Sequence, residues 1–217
     1  MTVRLAVFDC DGTLVDGQAA VCNAMDAAFA AHGLPRPDHH LVRRSVGLSL
    51  PQAVRALVPE ADDALRQGID LAYRNAFRAA REAGQLVEPL YAGVRELLDG
   101  LRDQGWLLGV ATGKSDRGLE HCLATHGLSQ HFFTLQTADR HPSKPHPAML
   151  EAALCEAGAL PQDAVMIGDT AYDMMMAVNG QVRALGVDWG YHTPAELIEA
   201  GAESVARTPL HLLELLS

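Results

Sequence analysis

The chain has 217 residues, 48% of them hydrophobic and 20% charged, with a formal net charge of -10. This balance excludes a disordered or fibrous protein, and no apolar stretch has the length of a membrane span. The acidic excess argues against a nucleic-acid surface, which needs surplus Lys and Arg, and it would repel any phosphorylated ligand unless a site were made positive locally by a metal, a lysine and backbone donors.

The chain runs from Met1 into an apolar stretch, Leu5 to Phe8, which reads as a buried strand. No basic leader or apolar signal core precedes it, so a cytoplasmic protein is expected. The scattered cysteines Cys10, Cys22, Cys122 and Cys155 have no metal-ligand spacing and fit a reducing compartment. From about Gln18 to Ala83 the sequence is rich in Ala, Leu and Arg at helical spacing, bounded by Asp16-Gly17 and by Gly84 to Pro89. Beyond it, the candidate strands Leu107 to Ala111, Phe133 to Gln136, Ala164 to Ile167 and Val182 to Leu185 alternate with helical patterns at Gly93 to Gln104, Asp116 to His126, Pro147 to Ala157 and Tyr172 to Asn179. That alternation predicts an α/β fold: a Rossmann-like, doubly wound parallel sheet core of residues 1–16 and 85–217, carrying an inserted all-helical cap of residues 17–84.

In such sheets ligands bind beyond the carboxyl ends of the strands, so the residues following each strand carry the functional argument. After the first come Asp9, Cys10, Asp11, Gly12 and Thr13. In extended backbone Asp9 and Asp11 share a side, and two carboxylates so close call for a cation or a shared proton. The same residues also make a good turn. After the second strand, Thr112-Gly113-Lys114-Ser115 offers a hydroxyl, a glycine and a helix N-terminus to an anion, although Thr or Ser there is also an ordinary helix cap. Lys144, between Ser143 and Pro145, is either a solvated loop charge or the cation that neutralises Asp9 and a bound phosphate. Its neighbour His146 reads as a surface residue. Asp169 and Asp173 follow the fourth strand; they either favour a helix N-terminus or complete an oxygen-rich site suited to Mg²⁺.

Taken in order, Asp9 to Thr13, Thr112 to Ser115, Lys144 and Gly168 to Asp173 resemble the motif set of the haloacid dehalogenase-like hydrolases. The helical insertion after the first motif is similar to that of the phosphoglycolate phosphatase and β-phosphoglucomutase subfamily, and the stretch Ala184 to His192 is closer to the phosphatase side. The resemblance implies a Mg²⁺-dependent phosphatase acting on a small phosphorylated metabolite such as phosphoglycolate. It assigns Asp9 as the nucleophile that carries an aspartyl-phosphate, and Asp11 as general acid and base. It gives Gly12, Thr13, Thr112, Gly113 and Lys144 to the phosphate, and Asp9, the carbonyl of Asp11 and Asp169 to the metal, with Asp173 behind them. Within the cap, Arg43, Arg44 and Gly47 lie in a loop that in relatives descends toward the leaving group, so an arginine there is a candidate for a second anionic group. Two departures stand out: Gly17, where relatives carry a helix-capping Ser or Thr, and Gln181 after Asn179-Gly180. Rival readings are a sugar phosphomutase, a pyrophosphatase or nucleotidase, and a phospho-switch binding protein. Either a monomer or a homodimer is compatible with the sequence.

Overall fold

The computed structural model describes residues 2–217. The short apolar runs form strands β1 (Leu5–Phe8), β2 (Leu107–Thr112), β3 (Thr134–Thr137), β4 (Ala164–Gly168), β5 (Arg183–Val187) and β6 (Ser204–Ala206). All pair in parallel in one sheet of order β3-β2-β1-β4-β5-β6. The expected α/β class is thus observed, with differences at the edges of the sheet. β3 starts one residue after Phe133, whose side chain is exposed. β6 lies outside the sequence expectation, because its three residues contain one large apolar side chain and their extended form is imposed by pairing with β5.

Between β1 and β2 the chain leaves the sheet and forms α1 (Gln18–Ala31), α2 (His39–Arg44), α3 (Leu50–Leu57) and α4 (Asp63–Glu82). Side-chain caps start two of them: Asp38 accepts from His40 N–H at 2.7 Å and Asp62 from Leu65 N–H at 2.8 Å. Val21, Met25, Phe29, Val42, Val54 and Ile69 gather into a hydrophobic cluster of this segment's own. The two crossings to the sheet lie side by side, since Asp16 N–H donates to the Pro89 carbonyl at 2.8 Å and Val15 bridges Leu90.

The remaining helices are α5 (Val94–Asp103), α6 (Asp116–Thr125), α7 (Ala148–Ala157), α8 (Ala171–Asn179), α9 (Pro194–Glu199) and α10 (Pro209–Leu215). Side chains alternate across a strand, so Ala6 and Phe8 of β1 pack with α5, α6 and α10, while Leu5 and Val7 pack with α7, α8 and α9. Burial on both faces explains why the central strands are continuously apolar. Among the described residues no helix is long and apolar enough to cross a membrane.

Register decides where the site falls. Phe8 stands opposite Val110 on one side and Ile167 on the other, so the chain leaves β1, β2 and β4 at nearly one level. Asp9, Thr112 and Asp169 therefore emerge around the crevice where the strand order reverses.

Candidate active site

Asp9 continues the line of β1, its N–H donating to the Ile167 carbonyl at 2.9 Å, and its side chain is almost fully buried. Asp9 Oδ1 accepts from Cys10 N–H at 2.7 Å and lies 2.9 Å from Lys144 Nζ, whereas Oδ2 is buried without a partner. Lys144 is itself buried and also donates to Asp173 Oδ1 at 2.6 Å. Asp169 is held from both sides: Thr13 Oγ1 donates to its Oδ1 and Tyr191 N–H to its Oδ2, each at 2.9 Å. Asp173 and Thr170 form a reciprocal cap that starts α8. Carboxylate oxygens of Asp9, Asp169 and Asp173 lie within 4.8 Å of one another.

Three carboxylates here face one ammonium, which leaves two negative charges uncompensated in a buried site. Burial pushes the Asp9 carboxyl up to about 7 against the pull of Lys144, and burial together with Asp9 and Asp173 raises Asp169 well above the carboxylate range. Burial alone would lower Lys144, but Asp173 and Asp9 more than offset it and hold the ammonium charged. A divalent cation would neutralise the cluster, and the unpartnered Asp9 Oδ2 and the all-oxygen donor set suit a hard ion.

Asp11 lies toward the helical segment, with Lys114 Nζ 3.0 Å from its Oδ1, an ion-pair distance without hydrogen-bond alignment. Lys114 donates in addition to Glu88 Oε1 at 2.6 Å. Burial raises the Asp11 carboxyl, opposed by Lys114 and assisted by the negative Glu88. Neither Lys114 nor Glu88 is among the candidates read from the sequence. Lys114 sits inside the Thr112 to Ser115 string and is hidden there because lysines after a strand are usually solvated. Glu88 carries no local signal; the return crossing brings it in.

The turn after Asp11 is shaped by close contact. Gly12 has φ 84°, and a Cβ there would come within 2.1 Å of Asp169 Oδ2. Its N–H donates to the Val15 carbonyl at 2.9 Å, and Thr13 N–H reaches the Cys10 carbonyl at 3.4 Å. These two donors, expected to serve a phosphate, are thus engaged within the turn, and the Thr13 hydroxyl is given to Asp169. Gly17 starts α1 without a side-chain cap, and a Cβ there would stand 2.7 Å from Asp11 Oδ1. A capping side chain at that position would strike Asp11.

Thr112 and Gly113 line a cavity of about 490 Å³ together with Asp9, Asp11 and Gly47. At Gly113 the two parts of the chain touch: a Cβ would come within 2.4 Å of the Leu48 carbonyl. Arg43 and Arg44 do not line this cavity. Arg44 instead pairs with Glu196 at 2.7 Å, and its carbonyl accepts from His192 Nε2 at 3.3 Å, so it ties the end of α2 to α9 and to the loop before it. The reason is geometric: the loop turns after Arg44, and the residues that reach the cavity are those from Ser45 onward. The arginines that line it come from elsewhere, Arg74, Arg78 and Arg81 of α4 and Arg117 of α6. His146 is exposed, as expected.

A family model described as haloacid dehalogenase-like hydrolase matches residues 6–187. The protein "Probable phosphatase IndB" of Dickeya dadantii is 34% identical over 94% of this chain and 89% of its own length. A phosphoglycolate phosphatase of Vibrio vulnificus is 27% identical over 98% of this chain and 95% of its own length. The crystal structure of a hydrolase from Pseudomonas syringae superposes with a TM-score of 0.86 at 25% identity, covering 98% of this chain and 97% of that one. With the family model spanning most of the sheet and the helical segment between, the chain belongs to the haloacid dehalogenase-like hydrolase family and is an enzyme of its phosphoglycolate phosphatase-like branch.

Proposed function

We propose that the protein is a Mg²⁺-dependent phosphomonoester hydrolase in which Asp9 is the nucleophile. The observation that carries this reading is the unpartnered Asp9 Oδ2 in a buried cluster of three carboxylates and one lysine. In the reading, Asp9 forms a bond to phosphorus as the bond to the ester oxygen breaks, and Asp11 gives its proton to the departing alkoxide. Asp11 then takes a proton from the water that attacks the aspartyl-phosphate, which releases orthophosphate and restores Asp9. The raised carboxyl of Asp11 suits a group that must first hold a proton. Lys144, the Thr112 hydroxyl and the Gly113 backbone are the groups given to the phosphoryl oxygens. Asp9, the Asp11 carbonyl and Asp169 would hold Mg²⁺, with Asp173 fixing Lys144; the ion, when bound, neutralises phosphoryl charge.

The division of labour follows the chain's course. Residues 17–84 act as a cap on a core formed by residues 1–16 and 85–217, turning about the paired crossings at Asp16 and Pro89. The four free thiols support a reducing, cytoplasmic setting. A small phosphorylated metabolite is the substrate class, and phosphoglycolate, after the Vibrio relative, is one compound to assay.

Sustained orthophosphate release from a phosphomonoester, abolished by EDTA and restored by Mg²⁺, is the expected result. Excess Mg²⁺ is also expected to raise Tm, because an ion bound only by the native state stabilises it, by roughly 2.7 kcal/mol at a hundred times its dissociation constant. One phosphate per chain followed by stalling would identify a phospho-switch instead. Isomerisation of a hexose 1-phosphate without orthophosphate would identify a mutase.

Lys114 is assigned to holding Asp11 in place. Lys114→Met is expected to lower kcat by about 100-fold, on the scale of removing one preorganised charged contact, with KM changed much less. A parallel rise in KM with kcat intact would show that Lys114 binds substrate and does not orient Asp11.

A further inference from the structure

The cavity is larger than a two-carbon phosphate ester requires. Its volume of about 490 Å³ falls within the roughly 300–1,000 Å³ of pockets that enclose drug-sized ligands. Its far wall is built by the helical segment. Tyr73, Phe77 and Arg81 of α4 follow one another at intervals of four and so share a helical face, and all three line the cavity beside Val21 and Met25 of α1. The Tyr73 and Phe77 rings stand 5.0 Å apart between centroids, tilted by 39°, and offer an apolar surface suited to packing an organic ring. Ile69 is the only fully buried residue of α4; the two aromatic rings remain half-buried with the cavity before them. Arg81 Nε is buried and has no partner, although Arg74 is bonded to Asp70 and Arg78 to Asn75. The Arg81 side chain lines the cavity, so the guanidinium is placed to meet an anionic group there.

We infer that the phosphatase described above takes a phosphomonoester whose alcohol carries an apolar ring, seated against Tyr73 and Phe77, and a carboxylate or similar anionic group answered by Arg81. This inference rests on that phosphatase reading and adds the chemistry of the leaving group. The aromatic wall would be unused by phosphoglycolate, whose single methylene has nothing to pack against it.

A matched pair tests it. 2-Phospholactate and 3-phenyl-2-phospholactate share the phosphate, the carboxylate and the ester-bearing carbon, and differ by one phenyl ring. The wild-type kcat/KM is expected to favour the phenyl compound by at least about tenfold, on the scale of apolar discrimination in an enzyme pocket. Phe77→Leu and Tyr73→Leu are expected to bring the ratio toward one; because the ratio is taken within each variant, a loss of folded protein cancels. Arg81→Gln is expected to shrink the preference for 3-phenyl-2-phospholactate over 2-phenylethyl phosphate by about tenfold, the scale of a hydrogen bond to a charged group. An unchanged preference in that variant overturns the role of Arg81. Equal or better turnover of 2-phospholactate and phosphoglycolate by the wild type overturns the ring subsite and leaves the phosphatase standing. No sustained phosphate release from any of these compounds, or from acetyl phosphate, overturns both.

Discussion

Asp9→Asn is expected to lower kcat/KM for every phosphomonoester by at least about 10⁴-fold, the scale on which removing a nucleophile acts. The amide keeps the size of the side chain and an oxygen to accept from Cys10 N–H, but it cannot form the phosphoryl ester. A second consequence has the opposite sign. In the metal-free protein the substitution removes one of three buried carboxylates that share a single lysine, so Tm is expected to rise, while the further rise on adding Mg²⁺ becomes smaller. Steady-state phosphate release and calorimetry with and without Mg²⁺ measure both. A variant that keeps more than about 1% of wild-type activity is far outside the loss expected for a nucleophile and would remove Asp9 from that role.

Lys144→Met has the largest expected effect on the fold. Methionine fills much of the volume but leaves Asp9 and Asp173, both buried, without their cation. Breaking a buried pair by deleting one partner costs about 3–5 kcal/mol, because the remaining charge stays desolvated. For a chain of this size that corresponds to a fall in Tm of roughly 6–20 °C. The folded fraction is also expected to lose about 10²–10³-fold in kcat, as a preorganised donor to the phosphoryl oxygens is lost. Lys144→Arg separates charge from shape: it is expected to recover part of the stability and little of the rate, since the planar guanidinium cannot meet Asp9 and Asp173 from one point. A Tm within about 2 °C of wild type for the methionine variant would mean that the two carboxylates are not charged together in the native state.

Much of this architecture was legible because its signals are local. Leu5 to Phe8 and Ala164 to Ile167 read as strands from unbroken apolar runs, and Asp9, Thr112, Lys144 and Asp169 stood out as polar residues immediately after strands or beside prolines. Ser204–Ala206 was not legible, because its pairing partner supplies the reason for its conformation. Arg43 and Arg44 are candidates only through the resemblance of their segment to a family loop, and the direction the chain takes there is not written in its composition; both lie at the end of α2, and Arg44 turns outward to Glu196. Arg81 carried the opposite problem. On a helix as polar as α4 it looks like one more solvated charge, and only the folded chain buries its Nε and sets the residue in the cavity wall.

The sequence by itself therefore determined the βα alternation, the helical insertion and the set of residues waiting at the strand ends, since periodicity and strand-end position are properties of the chain's own order. Tertiary structure alone decided which charges meet. It joined Lys114 to Asp11 and Glu88, closed Gly113 against Leu48, and built the wide aromatic-walled cavity from α1 and α4. Those contacts unite residues far apart along the chain, and their distances depend on sheet register and on how the helical segment rests on the sheet, neither of which any local pattern encodes.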